Sequence, residues 1–468
     1  MRRFYPLSLC MAGLILTACV SSPWHLRPTE REKTDLSGVP ETFSSGGGDR
    51  EVTRRWWEHF QSPELNRLVD SALVGNLDLA TARARLAQAE ATAGVSRSGR
   101  YPSLSGEAGA TNTERHVKTL AGDWDRDNSN RFQLGLTASF EVDLWGRLNA
   151  IERGALSQVT ASAEDVSTAE LMVTSEIVTT WIDIRTTQVR LAILNRQLET
   201  NQQTLDLLQL RRRRGMANAV DVLQQQQQTA STASAIPQTA ETLALLKHRL
   251  AVLLGLPPSR CPDLADEPLP ELPPLPATGL PADLLTNRPD LRAAWARLTA
   301  QDWAVVSARA ERLPALRLTG SATADSARVE DLLDNWAASL AAALVQPLID
   351  GGKRRAEVRR ARAAAAEAVA EYRQTTLAAL RDVENALASD RFKRDYVAKV
   401  TAEDTFARQT LEETTRRYQK GLSSYLPVLT ALNTRQRSEL AIIQATGDRL
   451  IQRVNLYKAL GGQVPPES

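Results

Sequence analysis

The chain has 468 residues, a formal net charge of +2, 24% charged residues and only 5% aromatics. The near-neutral balance excludes an overall polyanion-binding character, and the scarcity of aromatics suits long exposed helices better than one thick globular core. Of the three cysteines, Cys10 leaves with an N-terminal leader and Cys19 would be blocked by lipid, so only Cys261 remains and no intrachain disulfide is expected.

Arg2-Arg3 followed by the apolar run Leu7 to Leu16 reads as a signal peptide over residues 1–18, too short to span a bilayer. The run ends in Leu16-Thr17-Ala18-Cys19, which resembles a bacterial lipobox. That resemblance implies cleavage before Cys19, a diacylglycerol on its thiol and an acyl chain such as palmitate on its new amine. The alternative is an ordinary secretory signal with an incidental cysteine. Val20 stands where inner-membrane retention uses aspartate, which implies the outer membrane. Residues 19–54, with Pro, Ser and Gly46-Gly47-Gly48, read as a lipidated tether.

The folded part begins near Trp56-Trp57. Ser62-Pro63 supplies an N-cap and an N1 proline, and Leu65, Leu68, Val69 and Leu73 follow at helical spacing. A second helix follows Leu77-Asp78-Leu79 and runs to about Arg100. After Tyr101-Pro102-Ser103-Leu104 the period becomes two. Strands are predicted at about 104–114 and 131–145, interrupted by a polar stretch over 113–130. The second has Phe132, Leu134, Leu136, Ala138, Phe140 and Val142 on one face. Each is long enough to cross a bilayer when tilted, although half of a soluble antiparallel sheet has the same pattern.

From Gly146 the helical pattern continues to Gly215 with no Pro or Gly after Gly154, a rod of about 100 Å. A helix then returns from about Ala219 to Leu254, and its Gln224 to Gln228 run reads as a solvated face. The whole order then repeats. Gly215 and Gly421 are 206 apart, as are Val222 and Val428, Leu223 and Leu429, and Gly255 and Gly461. Near Asp290-Leu291 and Leu313-Pro314 the offset is 212, so the second hairpin is six residues shorter. Its strands are predicted at about 316–325 and 336–348. The chain is thus two copies of one unit, residues 55–255 and 282–462, joined by a Pro-rich linker over 256–281 and followed by a tail at 463–468. Four amphipathic strands cannot close a membrane barrel alone, so the chain must oligomerise through strand pairing.

The four histidines, His25, His59, His116 and His248, have no metal-ligand spacing, and Gly351-Gly352-Lys353 lacks the rest of a phosphate loop. No catalytic set and no cofactor motif is visible, so the reading is not an enzyme. The Arg211 to Arg214 run reads as a helix C-terminus facing water rather than a nucleic-acid site.

Trp56-Trp57, Tyr101-Pro102-Ser103-Leu104, Glu141-Val142-Asp143-Leu144-Trp145-Gly146-Arg147, Pro347-Leu348-Ile349-Asp350-Gly351-Gly352, Tyr418 with Gly421, and Leu456-Tyr457-Lys458-Ala459-Leu460-Gly461-Gly462 stand in this order. They resemble the TolC-type outer-membrane efflux family, and most of all its NodT/OprM-like lipoprotein branch, over residues 55–462. The resemblance implies an α+β membrane protein, a homotrimer whose twelve strands, four per chain, form a β-barrel continued by a long α-helical barrel in the periplasm. It implies a passive conduit for small molecules such as drugs. The implied partners are a periplasmic adaptor (membrane fusion) protein, an inner-membrane pump of the RND class and outer-membrane lipid, with no nucleic acid and no metal.

By the same resemblance the two glycine corners are the periplasmic hairpin tips. Gly215, Val222, Leu223, Gly421, Val428 and Leu429 become adaptor-contact residues, and Leu426, with Tyr418, Thr430 and Asn433, the periplasmic gate. In many relatives an acid stands four positions after the gate leucine; here Thr430 does, with Asn433 three further on, which puts an acidic ring in doubt. Type I protein secretion, metal efflux, or a lipid-anchored periplasmic coiled-coil scaffold are the alternatives.

Overall fold

The structure, a computed structural model, describes residues 40–44, 55–118, 124–279 and 281–462. The signal peptide, Cys19, most of the tether and the tail at 463–468 lie outside the described residues. The elements are α1 (Pro63–Gly75), α2 (Leu77–Ser98), β1 (Ser103–Lys118), β2 (Trp124–Val142), α3 (Arg147–Arg213), α4 (Ala219–Leu253), α5 (Pro289–Ala310), β3 (Ala315–Ser326), β4 (Trp336–Val345), α6 (Lys353–Gln419) and α7 (Leu426–Ala459). The two long helices, α3 and α6, have 67 residues each, as a duplicated unit requires. The chain divides into two compact units.

One unit comprises residues 86–161 and 294–372 among those described. Its sheet is antiparallel throughout, in the order β1-β2-β3-β4. The register decides what lies on each face. Leu136 stands opposite Gly106 on β1 and Ala322 on β3, and Gly320 stands opposite Leu340 on β4. Leu104, Leu136, Leu318 and Leu340 therefore share one face across all four strands, and nothing polar interrupts it between Leu104 and Ala110 or between Trp336 and Leu344. The other face carries Ser103, Ser105, Thr137, Ser139, Thr319, Ser321 and Ser339. Hydroxyl pairs bridge it, with Ser103 Oγ 2.9 Å from Ser139 Oγ and Ser321 Oγ 2.8 Å from Ser339 Oγ. Within one chain every residue of β1 and β4 is exposed, Leu340 at 69%. An apolar face of that extent needs a covering medium.

The first hairpin is longer than its apolar alternation. The polar interval expected over 113–130 is in large part strand, and eight further pairs run from Thr111↔Arg131 to Lys118↔Trp124. The alternation vanishes there because both faces are polar, while the backbone ladder continues. Asn112 Nδ2 donates to Asn128 Oδ1 at 2.9 Å and to Asn130 Oδ1 at 2.8 Å, which adds a side-chain ladder.

Carboxylates start both long helices. Asp143 accepts from the backbone of Leu148 and Asn149 at 3.1 and 2.8 Å, and Asp350 accepts from Gly352 and Arg354 at 3.0 and 3.2 Å. Trp145 Nε1 donates to Pro314 O at 2.8 Å, tying the first copy to the second. Small residues, Ala308, Ala361 and Ala365 with Val305 and Val358, bring α5 close against α6.

The other unit, residues 40–44, 55–85, 162–279, 281–293 and 373–462 among those described, holds the main core. Ser62 caps α1 as expected, accepting from Leu65 N at 3.2 Å. The Trp56 ring stacks on Tyr457 at 5.2 Å, joining the start of the first copy to the end of the second. Trp181, Ile182, Val383, Leu450 and Val454 from α3, α6 and α7 fill the space beside them.

The Pro-rich linker is not a free spacer. Its leucines at 264, 269, 272 and 275 pack on this core. Two buried arginines hold its backbone. Arg185, wholly buried, donates to Ala265 O and, at 2.6 Å, to Glu64 Oε1. Arg453 donates to Pro273 O and, at 2.8 Å, to Asp390 Oδ1. Proline removes backbone donors but leaves carbonyls, and a guanidinium with several donors can serve a carbonyl and a carboxylate at once.

Two expectations follow from this packing. Asp390→Ala strands the Arg453 guanidinium in the interior and is expected to cost about 3–5 kcal/mol in urea unfolding. An unchanged midpoint would mean that the pair carries no weight. Leu340→Arg puts a charge in the middle of the apolar face and is expected to cost about 2–4 kcal/mol for a barrel unfolded from lipid vesicles, with Ser339→Arg on the opposite face much milder. Equal effects would contradict the assignment of the faces.

Candidate functional site

The glycine corners close two helical hairpins, α3–α4 and α6–α7. Arg211 to Arg213 end α3 with Arg214 just beyond it, and Tyr418 and Gln419 end α6 just before Lys420. Both helices stop the same way. Met216 N donates to Arg211 O at 2.8 Å and Leu422 N to Arg417 O at 2.9 Å. Gly215 and Gly421 take φ of 72° and 74°, the left-handed conformation that this 6→1 closure needs. The equality of the two corners is the physical content of the 206-residue repeat.

The helices that leave the corners start differently. Asn218 caps α4 with a reciprocal box: its Oδ1 accepts from Asp221 N at 2.8 Å, and its own N–H donates to Asp221 Oδ2 at 3.3 Å. At α7 no side chain caps the helix, and Pro427 in the first turn removes one orphan donor instead.

The two hairpins meet in a small apolar cluster of Leu205, Leu208, Val222, Tyr425, Val428 and Leu429, with Leu411 and Tyr418 against it. Tyr418 and Tyr425 meet edge to face at 5.6 Å, and the Arg211 guanidinium lies 4.5 Å over the Tyr418 ring. The residues singled out by repeat and resemblance therefore separate. Val222, Val428 and Leu429 are buried and hold the tips together. Gly215, Leu223, Gly421, Leu426 and Thr430 are exposed, and Asn433 and Tyr418 are half-buried. Only the exposed group is available to a partner in this arrangement.

Behind the apolar cluster lies a layer of buried amides and hydroxyls. Tyr425 OH donates to Gln225 Oε1 at 2.6 Å, and Gln225 Nε2 donates to Asn201 O at 2.9 Å. Asn201 Nδ2 donates to Thr232 Oγ1 at 2.9 Å, and Gln436 Nε2 to Asn201 Oδ1 at 2.9 Å. Gln228 Nε2 reaches Gln436 Oε1 at 3.0 Å, and Gln197 Nε2 reaches Gln436 O and Glu439 Oε2 at 3.1 Å each. The links of this layer that cross from α3 or α4 to α7 are hydrogen bonds between neutral amides or hydroxyls, apart from Glu439, which also pairs with Arg196 of α3 at 2.5 Å. Such a layer fixes one register between helices, because a slip leaves buried polar groups unpaired.

The sequence reading of Gln224 to Gln228 as a solvated face is corrected here: Gln225 is fully buried and Gln228 half-buried. The signal was present. Val222, Gln225, Thr229 and Thr232 recur at helical spacing and form one stripe, part apolar and part polar. Counting only apolar residues misses it.

Burial pushes the Tyr425 phenol well above its ordinary range, with Tyr418 and Asp221 adding to the effect. Burial raises Tyr418 too, against the pull of Arg211. Both phenols stay protonated at neutral pH, so Tyr425 remains a donor to Gln225. Among the described residues no group of three or more His, Cys, Asp and Glu is placed to hold a metal ion, and no helix is long and apolar enough to cross a membrane.

A family model described as outer membrane efflux protein matches residues 68–256 and 280–462. Over 470 residues the chain is 32% identical to the pyoverdine export outer membrane protein OpmQ of Pseudomonas aeruginosa, covering 97% of this chain and 96% of that one. It is 30% identical over 474 residues to nodulation protein T of Rhizobium leguminosarum bv. viciae, covering 98% and 93%. The solved outer-membrane channel OprN superposes with a TM-score of 0.85 at 29% identity, covering 96% of this chain and 100% of that one.

Tyr425→Phe leaves Gln225 Oε1 without its donor and is expected to destabilise the tips by about 1–3 kcal/mol, read as faster proteolysis near Gly421. Because the folded phenol titrates above the unfolded value near 10, its contribution is complete below about pH 10 and falls as pH rises further. Ultraviolet titration is expected to show several tyrosines that resist ionisation, one fewer in Tyr425→Phe than in the wild type.

Proposed function

The chain belongs to the outer membrane efflux protein family, and from that premise we propose that three copies close one barrel and serve as the exit duct of a tripartite efflux system. The chain is an outer-membrane channel protein, as the family and its solved relatives are. The observation that carries the trimer is the sheet. Its four strands share one apolar face, continuous from Leu104 to Ala110 on β1 and from Trp336 to Leu344 on β4, and it has two outer strands, β1 and β4, each with a single neighbour in the chain. In lipid those outer ladders require partners, and pairing β4 of one copy with β1 of the next supplies them. Two copies give eight strands, whose interior side chains fill; three give twelve and enclose a passage.

The cargo is a small molecule handed over by an inner-membrane pump of the RND class through a periplasmic adaptor. Relatives are named for pyoverdine export and for solvent and toluene efflux. Cys19 is the lipid-bearing residue at the end of its signal. The protein supplies no chemistry and acts as a passive conduit. Leu426, exposed at the start of α7, forms the closure, with Thr430 and Asn433 giving it a neutral polar lining. The adaptor meets the exposed tip residues around Gly215, Leu223 and Gly421.

Planar-bilayer recording tests this reading. Purified wild-type protein is expected to run as a trimer in unheated gels and to conduct poorly. Leu426→Ala is expected to raise conductance several-fold. A monomer without channel activity would leave the lipid-anchored scaffold as the better account, and wild-type conductance in Leu426→Ala would remove Leu426 from the closure.

A further inference from the structure

We propose that the hairpin tips form a basic docking surface whose occupant is an adaptor hairpin ending in carboxylates beside apolar side chains. The inference rests on the reading that the adaptor meets these tips. The chain as a whole carries +2, yet residues 210–224 and 416–430 contain seven cations, Arg211 to Arg214, Arg416, Arg417 and Lys420, and one acid, Asp221. A cation in the last turn steadies a helix end, but four consecutive arginines at about 100° steps point to all sides of α3, more than the dipole uses. Arg211 is spent on Tyr418, and Arg416 and Arg417 share Glu413 at 2.9 and 3.6 Å. Among the described residues Arg212, Arg213, Arg214 and Lys420 are exposed and make no ion pair.

Apolar side chains stand among them. Leu223 is 61% and Leu422 73% exposed, with Met216 and Val220 beside them. Covering this patch brings the guanidinium groups out of water, which is unfavourable unless the partner supplies carboxylates. The apolar residues then govern how long the complex lasts, and the cations govern how fast it forms and with whom.

The test uses the full-length protein in detergent and a purified periplasmic adaptor protein, with association followed at low and near-physiological salt. Wild-type association is expected to slow about tenfold across that range, and R212E/R213E/R214E is expected to lose about tenfold at low salt with little salt dependence left. R212Q/R213Q/R214Q should fall between, and trimer bands on unheated gels report folding. Leu223→Asp is expected to speed dissociation while keeping the salt dependence. If only Leu223→Asp weakens binding, docking at the tips stands and the acidic partner falls. If neither change matters, the tips are not the docking site and both readings fall. Arginine-dependent binding to phosphatidylglycerol vesicles in place of the adaptor would also overturn the proposal.

Discussion

A sheet that faces lipid must satisfy every backbone donor and acceptor within protein, and this chain cannot do so alone. Its four strands pair in sequence order and leave the outer ladders of β1 and β4 open. The rest of the molecule is consistent with that constraint. Where all four strands pair, the leucines and phenylalanines collect on one face, whereas the opposite face carries Ser and Thr pairs that water or a lumen can accept. Closure by further copies follows from hydrogen-bond bookkeeping before any relative is considered.

The duplicated unit is symmetric where the backbone demands it and asymmetric where side chains do the work. Both corners reverse through the same left-handed glycine and the same pair of carbonyl contacts. Beyond them the copies diverge. The first presents Asn218 and Asp221 as a capping box, and the second presents Tyr425, Leu426 and Pro427. Tyr425 turns inward to Gln225, and Leu426 stays outside. Adjacent positions on one helix turn therefore serve cohesion and surface separately. The same division splits Val222 from Leu223.

Buried polar groups recur as the devices that set register. At the tips these are amides, and around the Pro-rich linker they are arginines. Arg185 and Arg453 each join a carboxylate to a linker carbonyl, so a segment without regular structure acquires fixed attachment points. Removing either carboxylate would leave a charge in the interior, which is why such contacts specify a position more than they add net stability.

Much of this was written in the sequence. Periods of two and of 3.6 marked the strands and rods, the Ser62-Pro63 cap and the glycine corners fell where local rules place them, and the constant offset revealed the duplication. Those features depend on neighbours a few residues away. Tertiary structure alone decided the rest. The hairpin ran on past its apolar pattern, because a ladder needs backbone and not alternation. Gln225, Asn201 and Gln436 became interior, because their partners come from residues up to 235 positions away. Val428 and Leu429 went inside while Leu426 did not, because α7 meets the other hairpin along one side only. A sequence states which residues can pair; only the packing of α3, α4 and α7 states which ones do.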